Sequence, residues 1–565
     1  MIRFTFYTLF LISILSCKTA FRSPEPQKLL VTNNAIVVSA HPLASDVGVE
    51  ILKQGGNAVD ATVAVHFALA VVNPRAGNIG GGGFMVIRHP DGTSEALDYR
   101  ETAPARAHRN LYLDPGGQVI EGLSTEGGLA VGVPGTVAGL YAVWKKYGQI
   151  KDWKKLLRPA IRLAKKGFSI SETEARRLNQ YQKAFKKYNP DNRVFIKAHW
   201  NAGDVLKQPG LARTLEIIAR KGPEGFYEGE VARAIVKKVQ QTGGIITEED
   251  LKNYKPKFRK PVEVNYKNYK IISMPPPSSG GIALGQLLLI TENYPVKDWG
   301  FHSFKTIRLM VEAEKRVYAD RTKYLGDADF YPVPADSLLD AQYLKNKMSD
   351  FDVDKATPVN QILPEDYELH KESFETTHIS IVDASGLAVS CTTTLNSNYG
   401  AKVIVDDYGF FLNNEMDDFS AKPGIPNQFG LTGSEANAIA PGKRMLSSMT
   451  PTIVEKDGKL FMVLGTPGGS TIITSVYQVI LYVVEFDMNL YEAVQSPRFH
   501  HQLLPDAIMY EPGAFSQDVK EQLLKAGHRL KQVKRLGYVK AVLVRNGQLE
   551  GSGDERNPDD DVSGY

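Results

Sequence analysis

The stretch from Thr376 to Gly400, TTHISIVDASGLAVSCTTTLNSNYG, constrains this chain more than any other. Thr376 to Asp383 alternates small polar and β-branched residues, Ala384-Ser385-Gly386 supplies a turn, and Leu387 to Leu395 returns as a second strand. A turn centred near Ser385 leaves Thr376 and Thr394 equally far from it, so the two face each other across the pair. Side chains alternate along a strand. Thr376, His378 and Ser380 therefore share a face with Ser390, Thr392 and Thr394, and Ile379, Ile381, Val389, Cys391 and Leu395 take the other. One side is apolar core and the other a wall of hydroxyls. A half-exposed hairpin accounts for such a pattern without any chemistry, and a cross-strand Thr pair is an ordinary structural feature.

The rest of the chain sets bounds. Its 565 residues, 43% apolar and 23% charged, suffice for a large core and one or two domains. A net charge of +4 with no basic block argues against nucleic acid as a partner. There are 2 cysteines, Cys17 and Cys391, placed in a leader and a strand, so no disulfide framework is expected. No CxxC or HExxH occurs, and neither a metal site nor a cofactor is expected. Arg3 followed by the apolar run Phe4 to Leu15 has the make-up of a signal peptide, too short to span a bilayer. Ile14-Leu15-Ser16-Cys17 resembles a bacterial lipobox, in which Cys17 becomes the lipidated first residue; a plain secretory signal cleaved nearby is the alternative. Either places the mature protein outside the cytoplasm, periplasmic or at the cell surface. Residues 1–17 are thus a leader and 18–33 a tether containing two prolines.

Strands are expected at Asn34 to Ala40, Phe84 to Arg88, Glu95 to Arg100, Tyr266 to Ser273, Phe410 to Leu412, Thr452 to Lys456, Leu460 to Leu464, Arg529 to Val533 and Ala541 to Arg545. Helices are expected at Leu43 to Gln54, Ala58 to Val72, Gly132 to about Tyr147, Trp153 to about Val239 with breaks, Ile282 to Ile290, Thr471 to Phe486 and Leu490 to Val494. His302 to Arg321 reads as a long amphipathic helix. The interleaving favours a layered α/β architecture. The cluster Gly77 to Gly83, GNIGGGG, lacks a P-loop ending and precedes a strand, so close backbone packing under a pocket is the better reading. Pro358 to Phe374 is polar and weakly periodic, a linker just upstream of Thr376.

Several motifs could carry chemistry. Gly468 and Gly469, in GTPGGST, lie between a strand and a helix; consecutive N–H groups there could form an oxyanion hole or simply cap the helix. Glu415 and Asp418 could converge on one ammonium group, although an acidic loop is often a solvated surface. Arg100 offers a bidentate fork for a carboxylate, with Ser447 and Ser448 as neutral donors, but is equally a surface residue at a strand end.

The hairpin resembles the self-cleaving segment of γ-glutamyltranspeptidases. The shared residues are Thr376, Thr377, His378, Ser380, Gly386, Val389, Ser390, Thr392, Thr394, Leu395, Asn396, Tyr399 and Gly400; Leu387 departs, at a turn position where Ser or Asn is preferred. The likeness extends from about Asn34 to Tyr565, including MPPPSSGG and EAEKRVYADR. It implies an N-terminal-nucleophile hydrolase fold, a four-layer αββα sandwich. It also implies self-cleavage between Glu375 and Thr376 into a large subunit, 34–375, and a small one, 376–565. The two would stay together as an interlocked heterodimer. Thr376 would be the nucleophile and its freed α-amine the base, supported by Thr394 and by the Gly468 and Gly469 N–H groups. Asn396, Glu415 and Asp418 would hold the donor's α-amine, and Arg100, Ser447 and Ser448 its α-carboxylate. Phe429 would lie near the tip of a lid, where Tyr is usual in some relatives. The implied donors are glutathione and other γ-glutamyl compounds; the acceptors are water, amino acids or short peptides. A glutaryl-type acylase of the same family and a non-catalytic lipoprotein that binds amino acids are the competing readings.

Overall fold

In a computed structural model of the protein, residues 20–363, 376–422 and 424–565 are described. Cys17 and Glu375 lie outside them. Two antiparallel seven-stranded sheets stack face to face. The first runs Leu29–Thr32, Gln548–Ser552, Lys540–Arg545, Lys459–Gly465, Thr452–Lys456, Tyr269–Ser273, Val262–Tyr266. The second runs Asp561–Gly564, Ile36–Ser39, Thr377–Val382, Ala388–Thr394, Gly82–Arg88, Ser94–Asp98, Lys257–Arg259. The expected hairpin therefore occupies the middle of a sheet. Its register is as the turn position demanded, with Thr377 opposite Thr393 and Val382 opposite Ala388.

Alternation along the strands builds three apolar layers. Val37, Met85, Ile87, Ile379, Ile381, Val389 and Cys391 pack outward with the helices of the first half, among them Pro42–Lys53 and Ala58–Val72. Ile36, Val38, Phe84 and Val86 point inward, against Ile272, Ile453, Val463 and Val542 of the facing sheet. Val454, Met462, Leu464 and Leu543 pack on the far side with Gly280–Thr291, Phe304–Tyr324 and Ile472–Val484. The result is a four-layer αββα sandwich. Helix Ala58–Val72 is buried at every position, in keeping with a sequence that is apolar apart from Asp60, Thr62 and His66. Its start is fixed by a capping box in which Asn57 Oδ1 accepts from Asp60 N (3.0 Å) and Asn57 N donates to Asp60 Oδ2 (3.1 Å).

Both faces of the hairpin are buried, contrary to the half-exposed alternative. The hydroxyl wall lies between the sheets and is used there. His378 bridges Thr392 Oγ1 (2.8 Å) and Ser380 Oγ (3.0 Å); Ser380 Oγ donates to Lys540 O and Ser390 Oγ to Leu464 O. These bonds satisfy the polar groups and tie one sheet to the other. Gly465 leaves the space for the imidazole, since a Cβ there would sit 2.3 Å from the His378 ring.

Four expectations need correction. Tyr266 to Ser273 is not one strand but the turn and second strand of a hairpin whose first strand is Val262–Tyr266. Phe410 to Leu412 forms only isolated bridges, to Ile404 and Gly80. Helix Phe304–Tyr324 is not amphipathic: Thr306 through Thr322 are all buried, with Glu312 taking Arg308, Lys315 and Arg316 as partners. The end of the stretch expected as a tether is docked, because Leu29–Thr32 pairs with Gln548–Ser552 and the Lys28 ammonium is gripped by the carbonyls of Asn557, Pro558 and Asp560.

Candidate active site

The hairpin delivers Thr376 and Thr394 to one wall of a small cavity. Thr376 is 4% exposed and immediately precedes Thr377–Val382. The Thr394 hydroxyl accepts from Asn396 N at 2.7 Å. Asn396 takes φ +74, a left-handed conformation that asparagine tolerates, and this turns the chain out of the strand. Its Nδ2 then donates to Asn414 O at 3.0 Å, which docks the acidic turn Glu415–Asp418 beside the hairpin. Asn413 bolts that turn to the glycine loops beneath: Nδ2 donates to Gly80 O and Gly132 O, and Oδ1 accepts from Gly132 N and Glu415 N. The GNIGGGG stretch is a close-packing device, as expected; a Cβ on Gly81 would lie 2.1 Å from Thr394 O.

The cavity holds about 20 Å³, room for roughly one water. Thr376, Thr394, Asn396, Arg100, Glu415, Asp418, Ser447, Ser448, Phe429 and Gly469 all line it. Gly468 adjoins Gly469 in the turn after strand Lys459–Gly465, with φ of +148 and +55 at the two glycines. Gly468 O accepts from Thr471 N (3.0 Å) and Thr471 Oγ1 (2.8 Å), and Tyr318 OH donates to Ser470 O. The turn is thus braced from two sides before helix Ile472–Val484 begins.

The expected separation of a cationic end from an anionic end is not what the structure has. Arg100 contacts Glu415 through Nη1 and Asp418 through Nη2 (2.5 Å), all three largely buried. Ser448 instead takes its cation from Arg321, whose Nη2 donates to Ser448 Oγ at 3.1 Å and whose Nε donates to Ser279 Oγ at 3.1 Å. Ser279 Oγ donates in turn to Ser447 O. The reason is electrostatic. Buried carboxylates without a bound cation pair with the nearest guanidinium, and Arg100 is within reach.

Two residues at the site were missed in the sequence. Arg321 ends the EAEKRVYADR segment, where nothing distinguishes it from a surface arginine on an amphipathic helix. Glu101 follows Arg100, and its Oε2 lies 3.8 Å from Arg100 Nη1. Neither Glu101 oxygen has a hydrogen-bond partner among the described residues. Burial, opposed by Arg100, pushes its carboxyl up to about 8; the same balance raises Glu415 and Asp418. Glu101, Glu415 and Asp418 against Arg100 and Arg321 would carry a one-charge excess if all were ionised, which a proton or a further cation can offset. His378 is held neutral, its pKa pushed well below the usual range by burial and by Lys540.

A family model, Gamma-glutamyltranspeptidase, matches residues 44–564. The chain belongs to the γ-glutamyltranspeptidase family. It is 45% identical over 534 residues to the glutathione hydrolase proenzyme of Escherichia coli (strain K12), covering 94% of this chain and 92% of the relative. The glutathione hydrolase proenzyme of Pseudomonas aeruginosa is 47% identical, over 92% of this chain and 93% of its own length. Among solved structures, the cephalosporin acylase of Bacillus halodurans superposes with a TM-score of 0.82 at 25% identity, over 96% of this chain and 98% of that one. A chain of Helicobacter pylori γ-glutamyltranspeptidase, 48% identical, covers 56% of this chain and 92% of its own with a TM-score of 0.55. The acylase shares the sandwich, but the identity is nearly twice as high to the transpeptidase. In this γ-glutamyltranspeptidase-family chain, the N-terminal-nucleophile hydrolase fold places the predicted nucleophile, amine-binding acids and glycine turn around one cavity.

Proposed function

We propose that this protein cleaves itself between Glu375 and Thr376 and then acts as a glutathione hydrolase and γ-glutamyltransferase. The observation that carries the reading is the placement of Thr376, at the head of a central strand, beside a buried pocket with an excess of carboxyls. In the first reaction the Thr376 hydroxyl attacks the Glu375 carbonyl carbon. The peptide C–N bond breaks, the Thr376 amine takes up the proton, and an ester joins Glu375 to Oγ1. Water then opens the ester, leaving a carboxylate on Glu375 and a free hydroxyl and amine on Thr376. In the second reaction the same oxygen attacks the γ-carbonyl of a donor. The α-amine takes the hydroxyl proton and returns one to the departing amine. Gly468 and Gly469 N–H groups would stabilise the oxyanion. The γ-glutamyl ester passes to water, an amino acid or a short peptide.

The donor's ammonium would enter among Glu415, Asp418 and Asn396 and displace the Arg100 guanidinium toward the α-carboxylate, with Ser447 and Ser448 adding neutral donors. Entry of one cation among acids with raised pKa values would release protons. A glutaryl donor has no ammonium, and nothing in it would use this acidic group, which argues against the acylase reading. Thr376 and the braced glycine turn argue against a non-catalytic binding protein.

Export and anchoring belong to the same proposal. The leader and Cys17 suit diacylation and retention on a membrane facing the exported compartment, since two acyl chains anchor firmly where one does not. The deciding experiment is denaturing electrophoresis with mass spectrometry of the purified protein. The parent should give two chains, the smaller beginning at Thr376, and Thr376→Ala should stay whole. A Thr376→Ala protein that still cuts itself at this bond overturns the assignment. Assay on a γ-glutamyl anilide, with and without a dipeptide, then measures hydrolysis and transfer.

A further inference from the structure

Phe429 is buried at 4% exposure and, with Leu431, roofs the cavity. A phenyl ring offers no hydroxyl, so the roof is held down by other groups. Asn427 shapes the lid from within: its Oδ1 accepts from Phe429 N (3.0 Å) and Leu431 N (3.2 Å), and its Nδ2 donates to Asp418 Oδ1 (3.2 Å). Gln502 grips it from outside. Its Nε2 donates to Phe429 O at 3.2 Å and to Gly430 O at 3.3 Å. Gln502 is no part of the lid; it follows strand Phe499–His500, and its side chain is buried.

Behind Gln502 the chain of bonds continues. His500 Nε2 lies 3.0 Å from Gln502 Oε1, and His500 Nδ1 lies 2.8 Å from Thr474 Oγ1. Thr474 sits in the first turn of helix Ile472–Val484, just after Gly468 and Gly469. The His500 ring also packs edge-on against Tyr318, whose hydroxyl holds Ser470 O in that turn (centroids 5.5 Å apart, planes at 82°).

Donor and acceptor chemistry allows one assignment along this chain. Two lid carbonyls can only accept, so the Gln502 amide must turn its NH₂ to the lid and its oxygen to His500. That oxygen can only accept, so His500 carries its proton on Nε2. Burial keeps the ring neutral, with a pKa lowered to about 3, so Nδ1 can only accept; the Thr474 hydroxyl also reaches Thr471 O at 3.1 Å, but gives its one proton to the nearer Nδ1 at 2.8 Å. The bonds therefore all run one way, from Thr474 through His500 and Gln502 to the lid, an arrangement that strengthens each member.

We propose that Gln502 is the latch of the lid, and that His500 and Thr474 are positioning residues that fix its amide and tie lid closure to the glycine turn beside the nucleophile. The effect on donor binding rests on the function proposed above; the latch itself does not.

The test uses the full self-cleaved protein and three variants. Gln502→Glu keeps the size and keeps an acceptor for His500, but sets an oxygen against the lid carbonyls. Gln502→Ala removes the contact, and Thr474→Val cuts the chain at its far end. The direct readout is chymotryptic nicking after Phe429, whose carbonyl is one of the two that Gln502 holds. Under native conditions nicking follows the population of the open lid. Loss of two neutral hydrogen bonds should raise the nicking rate roughly 5- to 100-fold in both Gln502 variants. A smaller rise is expected in Thr474→Val. KM for a γ-glutamyl anilide should rise in the same order, with kcat for hydrolysis within about twofold, because the lid covers bound donor and does not touch the reacting bond. Parent-like nicking in folded Gln502→Glu and Gln502→Ala overturns the latch. Parent-like nicking in Thr474→Val overturns the positioning role. Faster nicking with no turnover of γ-glutamyl donors even by the parent would uphold the latch and refute the proposed function instead.

Discussion

Asp418 tests whether the acidic turn binds an ammonium group. Its carboxylate accepts from Arg100 Nη2 (2.5 Å) and from Asn427 Nδ2 (3.2 Å). Asp418→Ala deletes one charge of the Glu101, Glu415 and Asp418 group, yet Arg100 keeps Glu415 in contact and Glu101 at 3.8 Å. The guanidinium stays compensated, so the fold and self-cleavage should survive. A charge-assisted hydrogen bond to a donor ammonium contributes about 1.5–3 kcal/mol. Its loss lowers kcat/KM on γ-glutamyl donors roughly tenfold to over a hundredfold. The Asn427 contact complicates the alanine variant, because losing it loosens the lid for every donor. Asp418→Asn removes the charge while retaining a carbonyl for Asn427. The assay is kcat/KM for matched γ-glutamyl and glutaryl anilides on both variants, after mass spectrometry has shown Thr376 at the new N-terminus. Glutaryl turnover should fall much less in Asp418→Asn. An equal fall for both donors, with self-cleavage intact, would show that the turn is structural and the ammonium site is elsewhere.

Other substitutions probe the surroundings. Glu101 holds its proton in the folded state up to about pH 8, whereas the unfolded chain loses it near 4.5, so its contribution to stability falls as pH rises across that window, by up to about 1.4 kcal/mol per unit. Glu101→Gln removes this dependence, and its melting temperature relative to the parent should climb between pH 5 and pH 8; a constant difference would mean that Glu101 is ionised throughout. Gly465→Ala drives a methyl group to 2.3 Å from the His378 ring, which Thr392 and Ser380 hold in place, and should cost about 1–3 kcal/mol or more and slow self-cleavage. Normal melting and complete processing would show that the ring moves freely. Cys17→Ser should release the protein from membrane fractions or block its processing; unchanged fractionation would remove the lipobox from consideration.

Much of the fold was legible because local and global signals agreed. The hairpin's alternation and its Gly386 turn fixed a register that the sheet reproduces, and helix Ala58–Val72 matches its apolar run to the residue. The failures have separate physical causes. The turn at Lys267 and Asn268 carries no glycine, and Lys267 takes φ +53 regardless, so two strands read as one. Strands such as Asp561–Gly564 and Gln548–Ser552 are short, polar and glycine-containing; they are strands because neighbours pair with them. Charges in helix Phe304–Tyr324 imitate a solvated face but are neutralised inside by partners on that helix and beyond it. The site residues could be named from motif likeness, whereas the Arg100–Asp418 contact and the role of Arg321 depend on which buried charge lies nearest, which no spacing encodes.

The sheet order explains why cutting one bond need not dismantle the site. Thr377–Val382 and Ala388–Thr394, from beyond the proposed cut, lie between Ile36–Ser39 and Gly82–Arg88, from before it. The first sheet likewise mixes strands from both sides, and the cavity takes Arg100 and Arg321 from one side and Asn396, Glu415 and Asp418 from the other. Parting the two chains would break backbone ladders in both sheets and expose all three apolar layers, a far larger cost than one peptide bond's constraint. The strand that begins at Thr377 is held unevenly, however. Ala388–Thr394 pairs with it from Thr377 onward, but Ile36–Ser39 reaches it only from Ser380 to Val382. Thr377, His378 and Ile379 thus have a ladder on one side alone, at the end where the proposed cleavage occurs. The ladder with Ala388–Thr394 fixes the position of Thr376, the proposed nucleophile, while the opposite edge of Thr377 to Ile379 is buried without backbone pairing to Ile36–Ser39.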